Sequence, residues 1–118
     1  MGTLPQLALR RRNTTRGGAS FDANTINAVW NKARVVFGAN PNELRKDACG
    51  AWIKRSAYGS TIENGNGWEI DHMMPVSRGG LDALVNLQPL QWQNNRTKGD
   101  RCPVVPSQYS AVVALSNN

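Results

Sequence analysis

The sequence predicts an α+β fold in one small domain, and three observations support this prediction. The chain has 118 residues, which fits a single domain, and 40% of them are hydrophobic, which is enough for a packed core. A run with helical periodicity comes early, and short strand-like runs separated by loops follow it. We divide the chain into a flexible basic arm, residues 1–20, and a folded domain, residues 21–118.

The first predicted element of the domain is a helix over residues 22–37. Its apolar residues recur at helical spacing, namely Ile26, Val29, Trp30, Ala33, Val36 and Phe37. Asp22 or Asn24 is the expected N-cap, and Gly38 is expected to end the helix. We expect the apolar face of this helix to lie in the core.

Shorter elements are predicted after the break at Asn40-Pro41-Asn42. Residues 43–46 are expected to form a short helical piece. Residues 47–58 contain a glycine turn followed by alternating apolar and polar residues, which indicates a strand or a hairpin. Residues 59–67 have the composition of a loop.

The second half of the domain is predicted to be strand, loop, strand and helix. The expected segments in order are a strand at 68–73, a loop at 75–85, a short strand at 87–90, a helix within 91–100 and a further strand at 111–115. Pro89 limits the second of these strands to a short ladder or a sheet edge because it has no N–H to donate. Gly99 is expected to end the helix.

The charge of the chain favours a polyanionic partner. The net charge is +6 and the isoelectric point is near 10.0, which is typical of proteins that bind nucleic acid or an anionic surface. The clustered basic residues are Arg10, Arg11, Arg12 and Arg16 in the arm, and Arg96, Lys98 and Arg101 further on. Simple solubility is the alternative explanation of the same excess.

The sequence also bears on the cellular location. No apolar run approaches the roughly 18 residues that a membrane span requires. The arginines of the N-terminus follow its short apolar stretch, whereas a secretory signal has them in front. Two cysteines, Cys49 and Cys102, do not make a disulfide framework. We therefore expect a cytoplasmic protein that does not engage a membrane.

One group of residues has the chemistry of phosphodiester hydrolysis. His72 is the only histidine, it directly follows Asp71, and Asn86, Asn95 and Lys98 come later in the chain. Histidine is the side chain suited to take a proton from water near neutral pH. Carboxylate and amide oxygens are ligands that Mg²⁺ prefers, and such an ion stabilises charge on a phosphate and on a leaving oxygen.

The order of these residues identifies a family. The run WEIDHMMPVSRGGLDALVNLQPLQWQNNRTKGD resembles the motif of HNH endonucleases, of the small bacterial or phage type. The shared features are the Asp-His pair, a loop with Ser and Gly-Gly, then Asn-Leu-Gln, then Asn-x-x-Lys. The resemblance covers residues 67–100 and implies a ββα-metal unit, which is two antiparallel strands and a helix around a metal ion. We expect a helix and a short strand or hairpin to precede it.

The resemblance implies a role for each matching residue. His72 corresponds to the general base, and Asn86 to the residue that holds the loop and orients the base. Asp71 and Asn95 correspond to the protein ligands of a divalent metal ion, with Mg²⁺ expected and Mn²⁺ as an alternative. Lys98 corresponds to a basic residue near the phosphate. Independently of the resemblance, Arg78, Arg96 and Arg101 are expected to contact nucleic acid, with solvated surface charges as the alternative.

The sequence departs from the family at one kind of site. Many HNH proteins carry two Cys-x-x-Cys knuckles that bind a structural zinc ion. The later knuckle positions are Gln91 and Asn94 here, and Cys49 has Lys46 where its partner would be. No structural zinc is therefore expected. We expect the tryptophan-containing core and the helix over 22–37 to supply the missing stability.

Several residues near the motif have plainer interpretations. Glu69 lies two residues before Asp71 and so shares its face of a strand, but a solvent-facing position is expected. Asn94 adjoins Asn95 but is given no functional role, because the Asn-x-x-Lys spacing selects Asn95. Trp68 and Trp92 are expected in the core, with base stacking as the alternative.

The function implied by the resemblance is metal-dependent hydrolysis of phosphodiester bonds in DNA, with RNA as an alternative substrate. Two other readings stay open. One is a nucleic-acid-binding module that keeps the fold without cleavage, and the other is a nuclease effector or toxin. The sequence carries no feature that indicates an oligomeric state.

Overall fold

The computed structural model describes residues 10–98, which form an α+β domain. The elements in chain order are α1 (Ala23–Trp30), β1 (Leu44–Lys46), β2 (Trp52–Lys54), β3 (Trp68–His72), β4 (Leu87–Gln91) and α2 (Trp92–Lys98). Strands β1 and β2 form one antiparallel pair, and β3 and β4 form another. The predicted fold class is thus confirmed, and the strand predicted at 111–115 lies outside the described residues. No helix among residues 10–98 is long and apolar enough to cross a membrane.

Helix α1 begins where the sequence predicts and ends earlier. The carboxylate of Asp22 accepts a hydrogen bond from the Thr25 N–H and caps the helix. The prediction that the helix continues to residue 37 is wrong, because the chain leaves the helix after Trp30 and Arg34 pairs with Lys46 in a β-bridge. Backbone hydrogen bonds of 2.8 and 2.9 Å join these two residues. Phe37, expected in the core, is fully exposed.

The first strand pair is a hairpin. Leu44 lies opposite Lys54, and Lys46 lies opposite Trp52. Of the strand or hairpin expected within residues 47–58, only β2 lies in that range, because its partner β1 ends at Lys46. The helical piece predicted at residues 43–46 is wrong, because β1 occupies this segment and pairs with β2.

A buried carboxylate joins this hairpin to the second sheet. Asp47 accepts hydrogen bonds from the backbone N–H groups of Cys49 and Ala51 through Oδ1, at 2.9 Å each. Its Oδ2 accepts from the Gln91 N–H at 2.9 Å and from Asn94 Nδ2 at 3.0 Å. Gln91 and Asn94 are the positions at which zinc ligands were found to be missing. Asp47 therefore links the two segments that a zinc site would join.

Strands β3 and β4 and helix α2 are the predicted strand, strand and helix. Asp71 lies opposite Gln88, and His72 lies opposite Leu87. Helix α2 begins at the residue after β4 and packs back on both strands. Pro89 is tolerated because the sheet has only two strands, so one edge of β4 needs no ladder donor.

The core lies between α1 and one face of the β3–β4 sheet. Its buried members are Phe21, Val29, Trp30, Ala33, Ile53, Trp68, Ile70 and Leu87. The Trp68 ring packs 5.4 Å from Trp30 and 4.9 Å from Tyr58 between centroids. Trp68 is buried as predicted, whereas Trp92 is partly exposed. Because α1 covers one face of the sheet and α2 the other, consecutive β3 residues point into different surroundings.

The described part of the basic arm, residues 10–20, contacts β3. Asn13 Oδ1 accepts hydrogen bonds from the Tyr58 hydroxyl at 2.8 Å and from the Ile70 N–H at 2.7 Å. Asn13 has a φ of 59°, a left-handed conformation that asparagine adopts more readily than most residues. The side chain of Asn13 thus attaches the arm to the strand that carries Asp71 and His72. The flexibility expected of the arm stays a prediction.

Candidate active site

Asp71 lies on the face of β3 that α2 covers. Its Oδ2 accepts a hydrogen bond of 2.9 Å from Gln88 Nε2, the residue opposite it on β4. Its Oδ1 lies 3.0 Å from Lys98 Nζ, which also donates to the His72 carbonyl oxygen at 2.9 Å. Burial raises the pKa of Asp71 above its ordinary value, and the Lys98 ammonium and the Gln88 amide oppose that rise. The carboxylate therefore lies in a buried polar pocket with a cation already beside it.

A second carboxylate shares this face. Glu69, two residues before Asp71 on β3, accepts a hydrogen bond of 2.9 Å from Asn95 Nδ2. Both side chains are buried. The expectation that Glu69 faces solvent is wrong, because α2 covers this face of the strand. Asn95 thus reaches the acidic face of β3, where its hydrogen-bond partner is Glu69.

His72 points to the opposite face, toward the core. Its Nε2 lies 2.8 Å from Asp82 Oδ1, and its ring centroid lies 6.0 Å from that of Phe21. The histidine is only 4% exposed. The opposite directions of Asp71 and His72 follow from their adjacency on a strand. The end of β3 therefore presents a carboxylate on one side and an imidazole on the other.

Asp82 is a residue that the sequence analysis missed. Besides His72, its Oδ1 accepts the backbone N–H of Arg16 at 2.9 Å. Partial burial raises the pKa of Asp82, but the hydrogen bonds from His72 and Arg16 outweigh it, so the pKa lies below the ordinary 3.8. The carboxylate is thus ionised at neutral pH. The sequence indicates the role of Asp82 only weakly. Asp82 is an acidic residue ten positions after His72, in a loop whose return path the sequence does not reveal.

Asn86 holds the loop that returns from β3 to β4. Its Oδ1 accepts from the Met74 N–H at 2.7 Å, and its Nδ2 donates to the carbonyl oxygens of Met74 at 3.1 Å and Leu81 at 2.9 Å. Its own carbonyl accepts from Met73 N–H at 2.8 Å. The loop also requires Gly80, because a Cβ there would lie 1.8 Å from the Met74 carbonyl oxygen. Asn86 makes no hydrogen bond to the His72 ring among those described.

The four residues expected to contact nucleic acid lie in different surroundings. Arg78 is exposed in the loop, and Arg96 is exposed on α2, where its guanidinium lies 4.9 Å from the Trp92 ring centroid. Lys98 is buried in its ion pair with Asp71. Arg101 lies outside the described residues. Of these four, Arg78 and Arg96 are the two whose side chains are exposed in the described structure.

The donor set on the α2 side suits a hard cation. Within residues 10–98 no group of three or more His, Cys, Asp or Glu side chains is arranged to hold a metal ion. The acidic face instead combines two carboxylates, Glu69 and Asp71, with the amide of Asn95. Oxygen donors of this kind are those that Mg²⁺ takes in proteins. The Lys98 ammonium next to Asp71 shows that this pocket stabilises positive charge.

Residues 58–104 match the family model described as HNH endonuclease. This segment contains the β3–β4–α2 unit and the loop held by Asn86. No curated protein and no solved structure matches the chain.

Proposed function

We propose that this chain, whose residues 58–104 match the HNH endonuclease family model, hydrolyses phosphodiester bonds in DNA with the help of a divalent metal ion. One observation supports this proposal most directly. The last two residues of β3 supply an imidazole hydrogen-bonded to an ionised carboxylate on one side and a buried carboxylate on the other. A base and an oxygen ligand on adjacent residues are the two parts that metal-assisted attack of water requires.

His72 is the proposed general base, and its partner determines which nitrogen acts. An ionised Asp82 has only acceptor atoms, so His72 Nε2 must carry a proton and donate it. In a neutral imidazole this leaves Nδ1 without a proton. We therefore assign proton abstraction to Nδ1. As the proton moves to Nδ1, the water oxygen bonds to phosphorus, and the bond from phosphorus to the leaving 3′ oxygen breaks.

Asp71 and Asn95 are the proposed protein ligands of the metal ion, with Glu69 next to them. A divalent ion held there neutralises charge on the phosphate and on the leaving oxygen. Mg²⁺ fits the oxygen donors, and Mn²⁺ accepts the same set. Gln88 keeps Asp71 in place through its hydrogen bond to Oδ2. Asn86 maintains the loop that brings Asp82 back to His72.

Substrate has to approach a base that is covered in this structure. Arg16 donates its backbone N–H to Asp82, and Phe21 packs near the His72 ring. We infer that residues 16–21 move when DNA binds. Arg78, Arg96, Lys98 and Arg101 are the proposed phosphate contacts, which position the strand without reading its sequence.

Plasmid nicking tests the proposal. Purified protein is incubated with supercoiled DNA in Mg²⁺, in Mn²⁺ and in EDTA, beside the variants His72→Ala and Asp71→Asn. We expect wild type to nick only with metal and both variants to lose at least 100-fold in rate, on the order of a general base's contribution. Glu63→Gln, which removes an exposed carboxylate, is the matched control. Equal cutting by wild type and His72→Ala would contradict the proposal.

A second candidate is a nucleic-acid-binding module without cleavage. The burial of His72 and the Lys98–Asp71 ion pair favour it, because both groups are occupied in the structure. The two candidate functions differ in whether the protein cleaves nucleic acid when a metal ion is present. If the protein binds DNA but does not nick it, and single-stranded DNA and RNA also remain intact with either metal, the binding module is the better description.

A further inference from the structure

We propose that Lys98 competes with the divalent metal ion for Asp71, so that metal binding displaces the Lys98 ammonium from the carboxylate. The inference rests on the proposed function in assigning Asp71 as a metal ligand. It adds that the protein carries its own cation for that site, and that this cation sets how tightly the metal binds.

The first argument is geometric. Lys98 Nζ lies 3.0 Å from Asp71 Oδ1 and 2.9 Å from the His72 carbonyl oxygen, and the two side chains of the pair are 5% and 7% exposed. The other carboxylate oxygen, Oδ2, accepts from Gln88 Nε2. Each oxygen of Asp71 therefore already has a donor pointing at it. A metal ion that binds either oxygen must displace a hydrogen-bond donor or lie close to the Lys98 ammonium.

The second argument is electrostatic. A buried carboxylate without a counter-charge is costly, so the ammonium stabilises Asp71 when no metal is present. A metal ion bound to Asp71 would face the Lys98 ammonium at a few ångströms in a poorly solvated pocket, where repulsion is strong. One of the two cations must leave. Of the two donors, Gln88 is neutral and tolerates a metal on the carboxylate, whereas Lys98 does not.

The third argument is that Lys98 is able to move. Its ammonium is carried on a flexible four-carbon stem with several rotatable bonds. Asn95 and Glu69 are joined by their own hydrogen bond one turn earlier, so withdrawal of Lys98 does not disturb them. The displaced ammonium is then free to pair with a substrate phosphate. This accounts for a lysine that is both buried and near the proposed site of reaction.

Titration of the full-length protein with Mn²⁺, measured by calorimetry without DNA, tests the inference. Lys98→Met has a side chain of similar length without the charge. We expect it to bind Mn²⁺ on the order of tenfold more tightly than wild type, because the metal no longer has to displace a cation. Asp71→Asn added to Lys98→Met is expected to remove this gain. Arg96→Met removes the same charge from the same helix and is the matched control.

Thermal unfolding gives a second readout and guards against misfolding. Without its cation the buried Asp71 has no counter-charge, so Lys98→Met should melt below wild type in EDTA and gain more from Mn²⁺ than wild type does. Lys98→Gln, which keeps a hydrogen-bond donor, is the variant to use if Lys98→Met does not fold even with Mn²⁺. Its Mn²⁺ affinity should also exceed that of wild type.

Several outcomes would overturn the inference. They are a folded Lys98 variant that binds Mn²⁺ no more tightly than wild type, an equal gain in Arg96→Met, or a gain that survives Asp71→Asn. These outcomes are independent of plasmid nicking. Metal-dependent nicking without the gain in affinity overturns the inference alone, whereas the gain in affinity without any nicking overturns the proposed nuclease and leaves the competition for Asp71 intact.

Discussion

His72 Nε2 and Asp82 Oδ1 lie 2.8 Å apart at the point where the loop between β3 and β4 folds back on the strand that it leaves. The contact joins a buried imidazole to a carboxylate that is 42% exposed on its side chain. The same carboxylate oxygen accepts the Arg16 N–H. Asp82, which belongs to the loop, thus hydrogen-bonds both the arm and His72 through its Oδ1 atom. This contact fixes the orientation of the proposed base.

The first prediction concerns this contact. An amide at position 82 binds either neutral tautomer of His72, so Asp82→Asn should lower kcat for nicking by about 10- to 100-fold with KM little changed, as for partners that orient a reacting group. The ¹⁵N chemical shifts of His72 should show a mixture of tautomers in the variant, which a merely structural role would not produce. Glu63→Gln is the control for the loss of one acidic charge. An unchanged kcat together with an unchanged tautomer would exclude the positioning role of Asp82.

The motif itself was the most predictable part of the molecule. Strands β3 and β4 and helix α2 follow from a sequence in which turn residues, strand residues and helix residues agree at each step. Asp71, His72 and Asn95 were assigned as site residues from the spacing of the motif, and their roles stay predictions. Spacing does not reveal which face of a strand a helix will cover. The burial of Glu69 on the face of β3 that α2 covers was therefore missed.

The wrong predictions concern segments whose structure is determined by tertiary contacts. The apolar periodicity of residues 22–37 is genuine, but α1 ends at Trp30 and Arg34 instead pairs with Lys46. Asp82 was not among the predicted site residues, because a loop brings it to His72 and the path of that loop cannot be read from the sequence. Its role depends on a return path that Asn86 and Gly80 shape.

The second prediction concerns Asp47. Its carboxylate accepts four hydrogen bonds within the described structure, and it joins the hairpin to the start of α2. Asp47→Asn turns one acceptor into a donor that faces other donors, so we expect the free energy of unfolding to fall by about 3 kcal/mol. Urea denaturation measures this. Cys49→Ser, an exposed change in the same turn, should alter the midpoint little.

Zinc analysis complements that measurement. Because Asp47 joins the positions that zinc ligands occupy in many HNH proteins, purified protein is expected to contain no stoichiometric zinc. Chelation should then leave the urea midpoint unchanged. One tightly bound zinc ion per chain would show that Asp47 is not the sole link between the two segments.

The third prediction concerns Asn86. Asn86→Asp keeps the acceptor for the Met74 N–H but places a carboxylate oxygen against the carbonyls of Met74 and Leu81. Asn86→Ala removes all three contacts without adding repulsion. We expect both variants to be destabilised by about 1–3 kcal/mol, with the aspartate no better than the alanine at neutral pH. Nicking should fall in parallel with the fraction of protein whose loop is ordered, as read by amide hydrogen exchange at Met73 and Met74. Full protection of these amides in Asn86→Ala would show that the loop does not depend on this side chain.

The fourth prediction concerns the attachment of the arm through Asn13. Glycine accepts the φ of 59° without strain, so Asn13→Gly removes the hydrogen bonds to Tyr58 and Ile70 without straining the folded backbone. We expect the variant to lose about 1–2 kcal/mol of stability, and Tyr58→Phe to lose less because the Ile70 N–H keeps its acceptor. The arm also carries the Arg16 N–H that contacts Asp82, so loosening it should increase the exchange of the Arg16 amide. A stable Asn13→Gly protein with a protected Arg16 amide would mean that residues 14–20 hold themselves against the domain, and that movement of the arm during DNA binding does not begin at Asn13.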